Sequence, residues 1–503
     1  MSRSRSYAAL GGAVSVGAGL AVAEFASGVA ELGASPVLAA GEAVIALTPG
    51  GLSEAAIQLV GTADKPLLVL GTVLIALLVG AIAGVLALTR LGRGVALLAA
   101  LGAVAAWAVI ASEDGGVADT IPSVLGVCVA AAALSLLTRR VPHTDRVTSG
   151  GADRRRFLLL AGATAMGAAA VTLAGRALGE GRRVVEEARR TLRLPIKEPE
   201  VPTEVAVDVK GIGPWQTPNE DFYRIDTALG APEVTPQDWR LRIHGLVERE
   251  IEIGYDELVD LGLENTWLTI ACVSNPVGGP LIGNAWWSGV PIADLLARAG
   301  VAPEADAVLQ TSVDGWTCGT PLRALTDQRG SLLAVAMNGE PLPVEHGFPV
   351  RMVVPGLYGY VSATKWLVDL EVTRFDRISA YWTEHGWGEL GPIKTQSRIE
   401  VPAGGATVPA GRVGVGGVAW DQHVGIDRVE VRVDDGPWQD ARLADVPNVD
   451  TWRQWAWTWD AEPGEHRLTV RATNAEGETQ TSERQGVLPD GATGWHTVAV
   501  DVA

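Results

Sequence analysis

Five long apolar stretches lie within the first 180 residues, and they constrain the fold more than any other feature of the chain. Placed near 8–30, 67–88, 95–112, 121–138 and 157–178, they approach the ~20 residues that an α-helix needs to cross a bilayer. In lipid every backbone N–H and C=O must be satisfied within its own segment, so such stretches fold as helices and form a helical membrane bundle over residues 1–180. Residues 36–48 are apolar but too short to span, which suits a re-entrant or interfacial piece. Arg3 and Arg5 precede the first stretch, and Arg90 and Arg93 follow the second. Arg139, Arg140, Arg146 and Arg154 to Arg156 lie between the fourth and fifth. The opposite connections carry Glu54, Asp64, Glu113, Asp114 and Asp119, with Lys65 among them. Positive charge stays on the cytoplasmic side. The N-terminus is therefore expected inside and, after five crossings of the cell membrane, everything past about residue 180 outside.

Glu24, Glu31 and Glu42 are unusual so near apolar sequence, because an intramembrane carboxylate is costly and often functional. Glu31 and Glu42 suit an interface, and Glu24 is open to a functional or a structural role. Haem between helices needs facing histidines, and the only histidine before residue 200 is His143, in a loop on the cytoplasmic side; no membrane haem is expected. Cys128 reads as a small buried hydrophobe.

At 503 residues the chain is long enough for several domains. The net charge of −18 belongs to the second part, since the membrane part is slightly basic, and an acidic surface argues against nucleic-acid binding. Residues 181–205 are charged and Pro-interrupted, a short helix followed by a linker. Between 206 and 392 the alternation of Trp239–Gly245 and Val350–Val354 predicts strands, and Pro291–Gly300 predicts a helix with a glycine cap, an α+β pattern. Over 393–503 short alternating strands such as Val429–Val433 and Arg467–Ala472 are separated by turns such as Asp434-Asp435-Gly436 and Asn474–Gly477. That spacing suggests an immunoglobulin-like β-sandwich.

Four blocks carry the chemistry. Thr269-Ile270-Ala271-Cys272-Val273-Ser274-Asn275-Pro276-Val277-Gly278-Gly279 places a cysteine where an apolar strand opens into a glycine-rich loop. Asn219-Glu220-Asp221-Phe222-Tyr223-Arg224-Ile225-Asp226 precedes it; His346-Gly347-Phe348-Pro349-Val350-Arg351 and Lys365-Trp366 follow. In this order they resemble the sulfite oxidase family of molybdenum-pterin (molybdopterin) enzymes, over roughly residues 206–503. The resemblance implies a molybdopterin domain followed by a dimerisation-type immunoglobulin-like domain, and so a homodimer. It implies Cys272 as metal ligand and catalytic residue, and Arg224 as the residue facing the substrate oxygen. His346, Arg351 and Lys365, with Phe222, Tyr223 and Asn275, would hold the cofactor. The residue types agree: only a thiolate ligates a thiophilic metal, arginine's fork suits a phosphate, and histidine can donate to one.

The departures from the family pattern bear on the substrate, a small sulfur or nitrogen compound that gains or loses an oxo group. Asp226 stands where a pterin-contacting histidine is usual. Asn275 is followed by Pro276 and Val277 rather than arginines, and Trp286 replaces a common arginine and adds aromatic surface. A dianion pocket needs charged partners, so an uncharged S-oxide or N-oxide rivals sulfite. Tyr381, Trp382 and Trp387 lie where the family's metal-side tyrosine is found, Asp314 and Cys318 could border the pocket, and a Cys272–Cys318 disulfide is open. Asp153-Arg154-Arg155-Arg156-Phe157-Leu158 resembles a twin-arginine export signal, against ordinary positive flanking of a span. With neither Cys-x-x-Cys-His nor a dinucleotide fingerprint, no haem or NAD is expected, and electrons would pass to or from a separate cytochrome or quinone system. A non-enzymatic immunoglobulin-like binding module, anchored in membrane lipid, is the other class, with Cys272 as core.

Overall fold

The computed structural model describes residues 2–30, 35–48, 64–111, 116–141, 150–178 and 180–503. Glu31, Glu54, Glu113, Asp114, His143 and Arg146 fall outside them. The chain divides into two compact units, Met1–Val184 with Thr227–Gly230, and Val185–Asp226 with Ala231–Ala503.

The first unit is helical: Ser2–Ala30, Pro36–Leu47, Asp64–Ala87, Leu91–Ala111, Ile121–Thr138 and Gly150–Leu178. Four segments among the described residues are long and apolar enough to cross a membrane: Ser4–Gly28, Lys65–Ala87, Leu91–Ala111 and Ala118–Thr138. The fifth expected span is helical within Gly150–Leu178 but is not one of these four. Ser2–Ala30 packs chiefly against Asp64–Ala87, Ile121–Thr138 and Gly150–Leu178, and close approach requires glycine: a Cβ on Gly12 would overlap the Gly80 carbonyl, and one on Gly84 the Ala8 carbonyl. Small residues at such crossings let helix backbones meet. On the outward face Leu74, Ile75 and Leu78 are 55%, 63% and 62% exposed, a surface that water disfavours and lipid suits. Cys128 faces outward from the bundle rather than into its core, a position that needs only to be apolar if lipid surrounds it. Glu24 is held in place: both its carboxylate oxygens accept from Ser35 Oγ, at 2.8 and 2.9 Å, and the same Oγ caps the helix Pro36–Leu47 by accepting from Leu38 N.

The second unit begins within the helix Glu180–Thr191. The expected linker is docked along the domain that follows. Arg189 donates to the Leu342 carbonyl and to Glu340, Leu192, Leu194 and Ile196 pack on the core, and Trp267 Nε1 donates to the Pro199 carbonyl. Ten strands follow: β1 (Arg240–Gly245), β2 (Ile251–Gly254), β3 (Glu264–Ala271), β4 (Ile282–Pro291), β5 (Ala307–Ser312), β6 (Thr317–Pro321), β7 (Leu332–Met337), β8 (Glu340–Pro341), β9 (Arg351–Val353) and β10 (Leu367–Thr373). One sheet has the order β2-β1-β10-β5-β6, with β1 and β10 parallel. The other has the order β3-β4-β7-β8, with β9 on β7. The predicted helix is Ile292–Ala299, ended by Gly300 at φ 73°.

The remaining strands make the sandwich: β11 (Gln396–Val401), β12 (Ala406–Val408), β13 (Gly411–Trp420), β14 (Ile426–Val433), β15 (Gln439–Asp440), β16 (Arg442–Leu443), β17 (Arg453–Ala461), β18 (Gly464–Asn474) and β19 (His496–Val502). Its sheets have the orders β11-β13-β17-β16 and β12-β19-β18-β14-β15. Val415, Val429, Val431, Trp455, Leu468 and Val470 fill the space between them, the inward half of the alternation read from the sequence. The turn at Asn474 is closed by its own side chain, which accepts from Glu476 N and Glu478 N.

Candidate functional site

The antiparallel pairing of β3 with β4 runs up to Ala271↔Ile282, so residues 272–281 form the connection. Cys272 is the first residue off this ladder. Its N–H still bonds the Leu281 carbonyl at 2.9 Å, which anchors the thiol at the end of the sheet. Asn275 shapes the rest of the loop: its N–H bonds the Cys272 carbonyl at 3.1 Å, and its Oδ1 accepts from Leu281 N at 2.9 Å. The side-chain oxygen of a residue expected at the cofactor is thus engaged by the loop itself. Cys272 is 8% exposed, and neither it nor Cys318 is in a disulfide. Cys318 belongs to the core: it is fully buried, its Sγ lies 3.2 Å from Thr364 Oγ1, and burial pushes its thiol up to about 11.

The downstream blocks fold into one cluster of basic side chains. Val344–His346 is a single tight turn, Arg351 opens β9, and Lys365 precedes β10. Gly347, at φ 107°, lets them meet, because a Cβ there would lie 3.0 Å from both Arg351 Cβ and Lys365 Cα. Trp366 Nε1 donates to the Val344 carbonyl at 2.9 Å and ties the two segments together. His346 and Arg351 are 7% and 5% exposed. Arg351 donates to main-chain oxygens, His346 O at 3.2 Å and Ala363 O at 3.3 Å, and its guanidinium lies 5.1 Å from the Trp287 ring. Burial lowers Arg351 to about 10. It lowers Lys365 to about 8, against the pull of Asp226. Burial, then Arg351 and Lys365, push His346 down to about 4. The Asn219 carbonyl, 3.1 Å from His346 Nε2, can only accept, so the single proton of the neutral ring sits on Nε2.

The upstream block closes over this cluster. Phe222 packs edge-on against Trp287 and His346, at 5.8 and 5.7 Å, and stacks on Tyr223 at 5.4 Å. Tyr223 is pushed well above its ordinary value, first by burial and then by the charge of Cys272, with Arg351 opposing. Its hydroxyl and the Ala271 carbonyl both lie 3.7 Å from the Cβ position of Gly359, which sets the tyrosine beside the end of β3. Asp226 is almost enclosed: its Oδ2 accepts from Lys365 Nζ at 2.5 Å and from Arg224 Nε at 3.0 Å. Arg224 itself stays 39% exposed.

The aromatic residues named from the sequence take these places. Trp286 and Trp287 face opposite sides of β4: Trp286 belongs to the core that holds Trp215, Trp267 and Tyr358, whereas Trp287 joins Phe222. Tyr381, Trp382 and Trp387 form an aromatic chain, with Tyr381–Trp382 at 5.0 Å and Trp382–Trp387 at 6.3 Å, that reaches Tyr360 through Trp387 at 6.0 Å. The tyrosine whose ionisation responds to Cys272, besides Tyr223, is Tyr358, 4% exposed and pushed up by burial, with the Cys272 charge acting the same way. Its signal in the sequence is the run Pro355-Gly356-Leu357-Tyr358-Gly359-Tyr360 between the His346 and Lys365 blocks. Asp314 accepts weakly from Trp316 N at 3.5 Å, within its own turn.

The arrangement fits an anionic pterin cofactor. The buried Arg351 guanidinium is met by carbonyls and an aromatic face rather than by a carboxylate, which is unfavourable without an anion, whereas the nearby Lys365 ammonium is already paired with Asp226. Among the described residues no group of three or more His, Cys, Asp or Glu is placed to hold a metal. The His346 value gives a sign. Its folded value of about 4 lies below the ordinary 6.5, so the unfolded chain gains its proton first as pH falls. The stabilisation is complete above pH 6.5 and gone by pH 4. In cofactor-free protein this residue should remove roughly 3 kcal/mol across that window. His346→Gln should flatten the decline in denaturant titrations at stepped pH; an unchanged slope would refute the assignment.

Comparison with known proteins gives the family. Residues 228–382 match the oxidoreductase molybdopterin binding domain, and residues 396–470 match a bacterial Ig domain. Sulfite oxidase of Gallus gallus is 30% identical over 335 residues, 56% of this chain and 72% of that protein. Mitochondrial sulfite oxidase of Macaca fascicularis is 31% identical over 285 residues, 48% of this chain; this chain spans only 51% of its length. The sulfane dehydrogenase SoxCD of Paracoccus pantotrophus superposes with a TM-score of 0.50 at 25% identity, over 57% of this chain and 81% of that one. With its cofactor-type cluster, its cysteine and its domain order, the chain belongs to the sulfite oxidase family of molybdopterin-dependent oxidoreductases.

Proposed function

We propose that this is a membrane-anchored, extracytoplasmic molybdopterin oxidoreductase that moves an oxo group to or from a small sulfur or nitrogen substrate. The observation that carries the proposal is the convergence of His346, Arg351 and Lys365 around Gly347, in the same domain as the Cys272 loop. Cys272 would ligate the metal; Arg351 and Lys365 would hold the pterin phosphate, joined by His346 once the bound anion favours a second proton on its ring, since the proton on Nε2 faces the Asn219 carbonyl; Phe222 and Tyr223 would wall it in, and Asn275 sets the loop. Bound there, the molybdenum centre supplies two-electron oxo transfer. Oxidation takes the oxygen from water and releases two electrons and two protons, and reduction of an oxide runs the reverse. Arg224, the most accessible cation of the group, orients the substrate oxygen. Electrons pass to or from a separate cytochrome or quinone partner. The sandwich supports a homodimer, as a dimerisation-type domain of the family.

Metal and pterin analysis of the purified protein tests the centre. One molybdenum and one pterin per chain are expected, with molybdenum retention lost in Cys272→Ala; absence of both, in a host that makes the cofactor, would sink the proposal.

Asp226 favours an uncharged S-oxide or N-oxide over sulfite. Its buried carboxylate offsets Arg224 and Lys365, so the site presents less net positive charge to a dianion. Asp226→Asn should lower the KM for sulfite about tenfold, the equivalent of ~1.4 kcal/mol, and leave that for a neutral sulfoxide unchanged. Equal changes for both would remove the charge argument.

Outward placement requires Gly150–Leu178 to cross as well, since four crossings return the chain to the side on which it starts. The arginines before Phe157 support a twin-arginine route, which carries proteins folded around a cofactor. A cysteine introduced at the exposed Glu476 should react with an impermeant maleimide in intact cells. Labelling only after lysis would place the domain inside.

A further inference from the structure

The Cys272 loop is gripped from outside its own domain. Arg398 of β11 donates from Nη1 to the Gly279 carbonyl at 2.7 Å. Its guanidinium is 14% exposed, is paired with Glu400, and lies 6.0 Å from the Trp452 ring. The imidazole of His496, at the start of β19, fills the space that a Cβ on Gly278 would occupy. Its Nδ1 accepts from Ile399 N at 3.0 Å, so the proton is on Nε2, the edge turned to Gly278. Burial, then Arg398 and Arg484, push it down to about 4, and the ring is neutral at ordinary pH.

The strand that leads into Cys272 is gripped in the same way. Thr269 N donates to the Asp450 carbonyl at 3.0 Å, Thr269 O accepts from Gln422 Nε2 at 3.0 Å, and Thr269 Oγ1 accepts from Trp452 N at 2.7 Å. Asn448 Nδ2 donates to the Trp267 carbonyl at 2.9 Å. Sandwich residues thus engage the chain at Thr269, before the thiol, and again at Gly278 and Gly279 after it. Between those points the loop is closed mainly by the turn around Asn275.

We propose that the sandwich positions the Cys272 thiol, with Arg398 acting through the Gly279 carbonyl and His496 by packing on Gly278. Both are positioning residues, acting through the loop. The inference rests on reading Cys272 as the metal ligand, and the tests separate the two. In cofactor-free full-length protein, Cys272 alkylation by iodoacetamide is followed by peptide mass spectrometry, with buried Cys318 as internal control. Arg398→Ala should speed Cys272 alkylation about tenfold, as expected for losing one charged hydrogen bond, and Arg398→Lys should largely restore the slow rate. His496→Ala, checked for folding by its Tm, is the second variant and should also raise the rate. Unchanged Cys272 alkylation in every folded variant overturns the proposal. So does a parallel rise at Cys318, which would mark general loosening. In loaded protein, Arg398→Ala should shift the Mo(V) electron paramagnetic resonance signal, and Arg398→Lys should return it. If molybdenum loading leaves Cys272 as reactive as before, the ligand reading fails while the labelling result on positioning stands.

Discussion

The molybdopterin domain is organised around the burial of positive charge. Arg351 and Lys365 cannot leave water cheaply, so their surroundings must be built to hold them. Main-chain carbonyls of His346 and Ala363 meet the guanidinium, the Trp287 face lies against it, and Asp226 meets the ammonium. The carbonyls converge because Gly347 adopts a left-handed conformation and Trp366 locks the 344–346 turn to the segment that enters β10.

The thiol stands apart from that cluster in the chain and near it in the fold. Cys272 leaves β3 at the edge of one sheet, and Tyr223 is close enough to Cys272 and Arg351 to respond to the charge of each. Strong burial keeps the tyrosine hydroxyls protonated, so Tyr223 and Tyr358 can donate but not carry charge. The sandwich completes the support. Its contacts to Thr269, Gly278 and Gly279 make the second unit a working whole in which the β-sandwich is more than an appended module.

Much of this is legible in the sequence where local rules are obeyed. The Pro291–Gly300 pattern is the helix Ile292–Ala299 with its left-handed cap, and the alternation at 429–433 and 467–472 gives the inner faces of β14 and β18. The blocks at His346, Arg351 and Lys365 can be named because in their order they resemble the sulfite oxidase family, and their residue types agree with it. Harder to read is what each side chain does with its neighbours. Trp286 and Trp287 differ by one position and face opposite cores, a consequence of strand register that composition does not reveal. Asn275 spends its side-chain oxygen on its own loop, and Tyr358 responds to a cysteine from a distant strand end, a relation with no local signal.

Hydrophobic period and turn chemistry act over a few residues. The division into an apolar helical part, an α+β domain and a β-sandwich is therefore written in the chain itself. Which cations are neutralised and which remain open is settled by packing alone. The pairing of Asp226 with Lys365, and the grip of Arg398 and His496 on the Cys272 loop, join segments far apart in the chain. Such contacts are set by how sheets and domains meet, and electrostatic energies follow distance and burial, which no linear pattern encodes.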